Sequence, residues 1–190
     1  QGDDARPLPH ISGPGFRALD REALPGVTAV AGEATSRGFS TVIDGRAVWA
    51  AGRYVSGAFF EVLGTRPAAG RLLVRTDDRP AAPRTVVLAH HFWRRHFAGR
   101  AEAIGTSIRI GSHLHTVIGV TPPGFVGVRA GDLGERVEDA ADLWVPMSQP
   151  AGTTDAATID AVGALGTLVT ARLVNGITPH EAGAELQELA

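Results

Sequence analysis

The stretch VIDGRAV, Val42 to Val48, places Asp44-Gly45 between two short alternating apolar runs. An Asp-Gly pair accepts the positive φ angles of a two-residue turn, which makes this the strongest short hairpin signal a sequence offers. The surrounding stretch, VTAVAGEATSRGFSTVIDGRAVWAAGRYVS, reads as strands, with Gly38 marking a bend or bulge before the hairpin. VSGAFFEVLG follows directly, and its Phe59, Phe60 and Leu63 fall at i, i+1 and i+4. That spacing predicts a short helix whose Phe/Leu face packs on the sheet, with Ser56 capping its first turn and Gly64 ending it in the left-handed conformation.

The remaining segments mix the same two ingredients. GPGFRALDREALPG carries Phe16, Leu19 and Ala23 at i, i+3 and i+7 before Pro25-Gly26, a helix. TRPAAGRLL and RTDDRPAAPR, rich in proline and charge, read as an exposed loop. TVVLAH is a continuous apolar run suited to a buried strand. HFWRRHFAG places Phe92, Trp93, His96 and Phe97 at helical spacing and stops at Gly99. GTSIRIGSHLHTVIGVTPPGF contains two strands around Gly111-Ser112, a second hairpin. Residues 131–141 are acidic and read as a loop, DLWVPM as a strand, and TTDAATIDAVGAL as a loop or frayed helix. LGTLVTARLV alternates Leu165, Thr167, Val169, Ala171 and Leu173 against a partner face, a further strand. The last segment, NGITPHEAGAELQELA, has a helix signature. Thr178 and Glu181 fit a capping box, Pro179 fits the first position, and Ala182, Leu186 and Leu189 form an apolar stripe beside Glu181, Glu185 and Glu188. Hairpins beside longer connections predict an α+β fold, a mixed sheet with packed helices, and not a strict βαβ alternation.

Composition narrows the class. With 190 residues, 44% hydrophobic and 20% charged, the chain can bury a core and remain soluble. A net charge of −2 gives no basic footprint for nucleic acid. All eighteen basic residues are arginine, and there is no cysteine for disulfide or thiolate chemistry. No signal peptide is visible. The late uncharged run AVGALGTLVTA is shorter than the roughly 20 residues that a membrane helix needs. Residues 1–9, within QGDDARPLPH, read as a linker, and membrane helices are expected outside the sequence if it is part of a longer protein.

The seven histidines are the first place to look for chemistry. His90 and His91 are adjacent and diverge, whereas His91 and His96 lie about 140° apart around a helix, unlike the i, i+4 pairs that bind zinc. His113 and His115 share one face of a strand but specify no third ligand, and read as solvated hairpin residues. No Gly-x-Ser-x-Gly elbow is present. Asp77-Asp78 and Glu138-Asp139 are paired carboxylates in charged loops, where little desolvation is expected to shift them. GTRPAAGR lacks the lysine and glycine pattern of a phosphate loop. The residues therefore assign no catalytic, cofactor-binding or metal role to any position.

Five blocks in order carry a resemblance: VSGAFFEVLGTRPAAGRLL, VVLAHHFWRRHFAG, IGTSIRIGSHLHTVIGVTPPGF, DLWVPM and ARLVNGITPHEAGAEL. Together they resemble, from about Val48 to Leu189, the periplasmic core domain of MacB/FtsX-type ABC-transporter permeases. The resemblance implies a domain outside the cytoplasmic membrane, between the first and second membrane helices. It implies a Porter-like part from residues 10–75 and 142–190 and a β-rich, Sabre-like inserted part from 84–141. It also implies no cofactor in this domain, with ATP and Mg on separate cytoplasmic ATPase subunits or domains. The implied partners are a second permease copy, forming a dimer, that ATPase, and a periplasmic partner protein or exported cargo. The expected function is non-catalytic: coupling cytoplasmic ATP hydrolysis to export or to periplasmic mechanical work, with the final helix at 178–190 as a lever. The competing expectation is a secreted hydrolase or metal-binding protein that uses the histidines.

Overall fold

A computed structural model of the chain describes residues 12–21, 26–35, 38–128, 140–149 and 167–178. In chain order it contains α1 (Gly13–Arg21), β1 (Val27–Thr35), β2 (Phe39–Ile43), β3 (Arg46–Ala50), β4 (Gly52–Val55), α2 (Phe59–Val62), β5 (Ala69–Gly70) and β6 (Thr85–Leu88). There follow α3 (His90–Phe97), a 3-10 turn at Ala101–Ala103, β7 (Ser107–Ile110), β8 (His113–Val120), β9 (Leu143–Pro146) and β10 (Leu168–Leu173). The strands form one sheet in the order β10-β1-β4-β9-β6-β8-β7-β2-β3, with β5 added on β8. The β4–β9 and β6–β8 pairs are parallel and the others antiparallel. The expected α+β mixed sheet is therefore what the chain forms. Among the described residues no helix is long and apolar enough to cross a membrane.

Both expected hairpins form. Ile43 pairs with Arg46 across Asp44-Gly45, whose φ angles of 48° and 76° give the primed turn that suits the twist of the strands. Ile110 pairs with His113 across Gly111-Ser112. β6 and β9 lie in the middle of the sheet and are buried at every position, which is why TVVL and LWVP read as unbroken apolar runs. α1 and α2 both pack against β1. Phe16 from α1 presses its ring on Gly32, where a Cβ would come within 3.0 Å of it.

α2 is a single turn, and it buries Phe59 and Phe60 at 1% exposure each. Gly64 ends it with φ +65°, as the sequence predicts. Ser56 does not cap it. The helix begins three residues later, at Phe59, and Ala58 stands at its N-cap without a side-chain hydrogen bond. Ser56 is still at the end of the β4 ladder. Its N–H donates to Gly32 O at 2.9 Å, and its Oγ accepts the Gly32 N–H at 3.0 Å. The hydroxyl fills the acceptor position of the Ser56 carbonyl, which has turned to receive the Phe59 N–H. α3 likewise ends one residue earlier than predicted, since Ala98 is already left-handed with φ 53°.

The segment read as an exposed loop, residues 65–84, is partly core. Leu72 and Leu73 are buried, β5 pairs with β8, and Asp77 is buried as well. Its prolines and charges suggest solvent, but Arg71, Arg75, Asp77 and Asp78 are partnered within the fold. Residues 1–9, Ala23, Glu138-Asp139 and positions 179–190 of the predicted last helix lie outside the described residues.

Candidate functional site

The five described histidines, His90, His91, His96, His113 and His115, have separate partners. On α3, the His90 ring contacts Trp93 and the His96 ring packs on Phe92 at 4.4 Å. Burial, helped by the charge of Arg95, lowers the His96 pKa. His91 Nε2 lies 2.7 Å from Asp142 Oδ1, and Asp142 Oδ2 accepts the Ala51 N–H at 2.9 Å. Asp142 therefore joins α3 to the start of β4, a role no local sequence signal announces. His115 is not a solvated hairpin residue. β8 turns it inward opposite Ile108, where it is fully buried, and burial pushes its pKa down to about 4. It is a neutral core histidine, its Nδ1 3.3 Å from the His113 carbonyl. Among the described residues no group of three or more His, Cys, Asp or Glu could hold a metal ion.

Of the paired carboxylates, Asp77 and Asp78 are partly or fully enclosed, contrary to expectation. Arg71 donates to Asp77 through both guanidinium nitrogens, at 2.6 and 2.8 Å, and the Val74 N–H adds a third bond at 2.9 Å. Burial alone would raise the Asp77 pKa, but these bonds and the Arg71 charge outweigh it and hold the pKa below the usual value. Asp78 accepts the Gly57 N–H at 3.0 Å and the Ser148 N–H at 2.8 Å. Here burial prevails over its N–H donors, and the pKa is raised. Buried Gln149 closes the same region. Its Nε2 lies 3.1 Å from each of the Asp77, Ala82 and Pro83 carbonyls, and its Oε1 accepts the Thr85 N–H at 3.3 Å. The Arg71–Asp77 pair and the Val74 N–H brace the 71–85 loop internally, whereas Asp78 and Gln149 tie it to Gly57, just before α2, and to the residues after β9. They act as structural cross-links.

Glu33 escaped the sequence reading, although an acid inside VTAVAGEAT was a visible signal. It sits in β1 at 6% exposure, 3.5 Å from Arg53 Nε, and accepts the Val128 N–H at 3.3 Å. Burial pushes its carboxyl up to about 7, against the pull of Arg53 and of that N–H. Trp144 and Phe125 pack 5.3 Å apart, and both rings contact Phe60. An open cleft of about 300 Å³ lies at the other end of the sheet, with Ile43, Phe97 and Ile108 at its floor and exposed Asp44, Arg100 and Glu102 at its rim.

The edge of the sheet brings distant parts of the chain together. β10 pairs with β1, and Val27 lies opposite Leu173. From β10, Arg172 donates through Nη2 to the Val62 carbonyl at the end of α2. A cation at a helix C-terminus satisfies a carbonyl left free there and is favoured by the helix dipole. The arrangement binds β10, β1 and α2 as one unit and offers no nucleophile, base and oxyanion donors in mutual reach.

Comparison with known proteins agrees with this reading. The family model described as "MacB-like periplasmic core domain" matches residues 2–189. The fold is similar to the periplasmic region of MacB from Actinobacillus actinomycetemcomitans, at TM-score 0.67 and 18% identity, over 98% of this chain and 75% of that one. It is also similar to the extracellular domain of the noncanonic ABC-type transporter YknZ from Gram-positive bacteria, at TM-score 0.63 and 13% identity, over 97% of this chain and 84% of that one. No curated protein matches the sequence. The match across nearly the whole length, on a mixed sheet without a reactive constellation among its described residues, shows that the chain belongs to the MacB-like periplasmic core domain family, the extracytoplasmic part of ABC-transporter permeases.

Proposed function

We propose that the domain is non-catalytic and transmits conformational change between membrane helices on either side of it and the space outside the membrane. The observation that carries this reading is the β1–β10 pair. Val27, where β1 starts after α1, lies opposite Leu173, where β10 ends, so the chain leaving α1 and the chain leaving β10 are side by side at one edge of the sheet. A domain inserted between two membrane helices needs this arrangement, because both connections must return to the same membrane surface. The Val174 N–H bonded to Gly26 O at 2.9 Å continues the pairing beyond the strands.

In this reading ATP and Mg act on a cytoplasmic ATPase, the permease works as a dimer, and motion reaches the domain through its two adjacent connections. The Porter-like part, residues 10–75 and 142–190, takes up the motion, and the Sabre-like part, 84–141, presents a surface to cargo or to a periplasmic partner. The β2–β3 hairpin, within 10–75, hydrogen-bonds β7 of the inserted segment, so the two parts share one sheet. The test is an insertion of Gly-Gly-Ser-Gly after Gly176, in the turn leaving β10, in the full transporter. Such a linker is flexible and breaks a rigid connection. Folding and ATP binding should persist while transport per ATP hydrolysed falls roughly tenfold or more, an order of magnitude taken from typical coupling energies. Unchanged transport at equal expression would show that no rigid connection is needed here.

A further inference from the structure

Residues 121–128 cross the face of the sheet that carries Trp144. Phe125 seals this face, 5.7 Å from the Phe60 ring and 5.3 Å from Trp144. The segment reaches the sheet at Glu33, where the Val128 N–H donates to Oε2 at 3.3 Å. Gly127, at φ +86°, brings the backbone so close that a Cβ would stand 3.1 Å from Glu33 Oε1. The carboxyl is therefore enclosed between the sheet and this segment.

The charges facing it are few. Arg53 on β4 is 3.5 Å away. Arg172 on β10 shares the face, since it pairs with Ala29 as Leu168 pairs with Glu33, but its guanidinium is committed to α2 carbonyls. Residues 121–128 carry no charged side chain, and Glu61 of α2 is exposed. α1 packs on the opposite face, at Gly32.

We propose that residues 121–128 are a proton-controlled strap, closed over Phe60 and Trp144 when Glu33 is protonated and released as the carboxylate ionises and takes up water. A neutral carboxyl can remain enclosed with one N–H donor, whereas a carboxylate there gives up most of its hydration for one guanidinium and one N–H. Release restores its water and uncovers an aromatic surface. The sign follows from linkage. Burial raises the closed-state pKa from 4.5 to about 7, so the closed state binds the proton more tightly. Closure is favoured fully below the ordinary carboxylate value and loses ground as pH rises through about 7. If release returns Glu33 to its ordinary value, the closed-to-open ratio falls by up to about 300-fold across that window.

Amide hydrogen exchange of residues 125–128 in the 190-residue chain tests this, with rates corrected for intrinsic pH dependence. Protection in the wild type should fall at least about tenfold between about pH 5 and about pH 8, while Glu33→Gln, neutral at both, keeps the low-pH protection throughout. Equal wild-type protection at both pH values, or the same fall in Glu33→Gln, would overturn the proposal. Should Glu33→Gln not fold, an NMR titration of the wild-type carboxyl decides. A midpoint near 7, followed by the Phe125 ring resonances, supports the strap. A midpoint at the ordinary carboxylate value, or Phe125 resonances that do not follow it, contradicts it.

Discussion

The two ends of the sheet are built differently. Around β10, β1, β4 and β9, polar side chains join segments far apart in sequence: Asp78 to Gly57 and Ser148, Gln149 to Ala82 and Thr85, Arg172 to Val62. Around β2, β3, β7 and the start of β8, the strands are held by backbone pairing and expose Trp49, at 68%, and Leu114. The first region is cross-linked by side chains; the second depends on backbone pairing over its buried Phe39, Ile43, Ile108 and Ile110. The proposed transmission uses this division, with the cross-linked block moving as a unit while contacts are made elsewhere.

Substitutions can break the contrast. The largest effect is expected inside the first region. Phe60→Ala removes a ring enclosed by Phe59, Phe125 and Trp144 and should cost about 3–5 kcal/mol, measured by denaturant unfolding. A Phe60→Ala protein as stable as wild type would remove α2 from the core. Gln149→Leu is next. It keeps the volume but leaves the Thr85 N–H and several buried carbonyls without their partner, at about 1–3 kcal/mol. Restoring that loss through a second substitution at Asp78 would show that the two cross-links are not independent. The smallest effect belongs to the second region. Trp49→Ser should change stability by no more than about 0.5 kcal/mol, because the ring is mostly in water. A loss as large as that of Phe60→Ala would mean that the two ends are not distinct.

These contrasts also mark what the sequence could reveal. Strands and turns depend on local periodicity and backbone preference, so VIDGRAV, TVVL, LWVP and the Phe59/Phe60 helix were legible. Ser56 was misread because a serine before a helical run can serve either the helix or the strand it leaves, and only the Gly32 N–H decides. Asp78 departs from its expected exposure because its partners, Gly57 and Ser148, lie far outside any local window, whereas Asp77 is held by Arg71 and Val74 in its own stretch, whose pairing no periodicity announces. His115 was misread for the same reason: alternation gave its face of the strand, but not that this face was covered. The cross-links made by Asp78, Gln149 and Arg172 are of this long-range kind. Their residues were visible, their partners were not.

The proposed transmission requires that the sheet shared by the two parts moves as one body. It is tested most directly by spin-label distances in the full transporter, with labels at Val174, just past β10, and Ala47, on β3. Between nucleotide-free and ATP-bound states the Val174–Ala47 distance within one domain should change by less than about 2 Å, while the Val174–Val174 distance between two copies changes by more than about 5 Å. An intradomain change as large as that between copies would contradict the account.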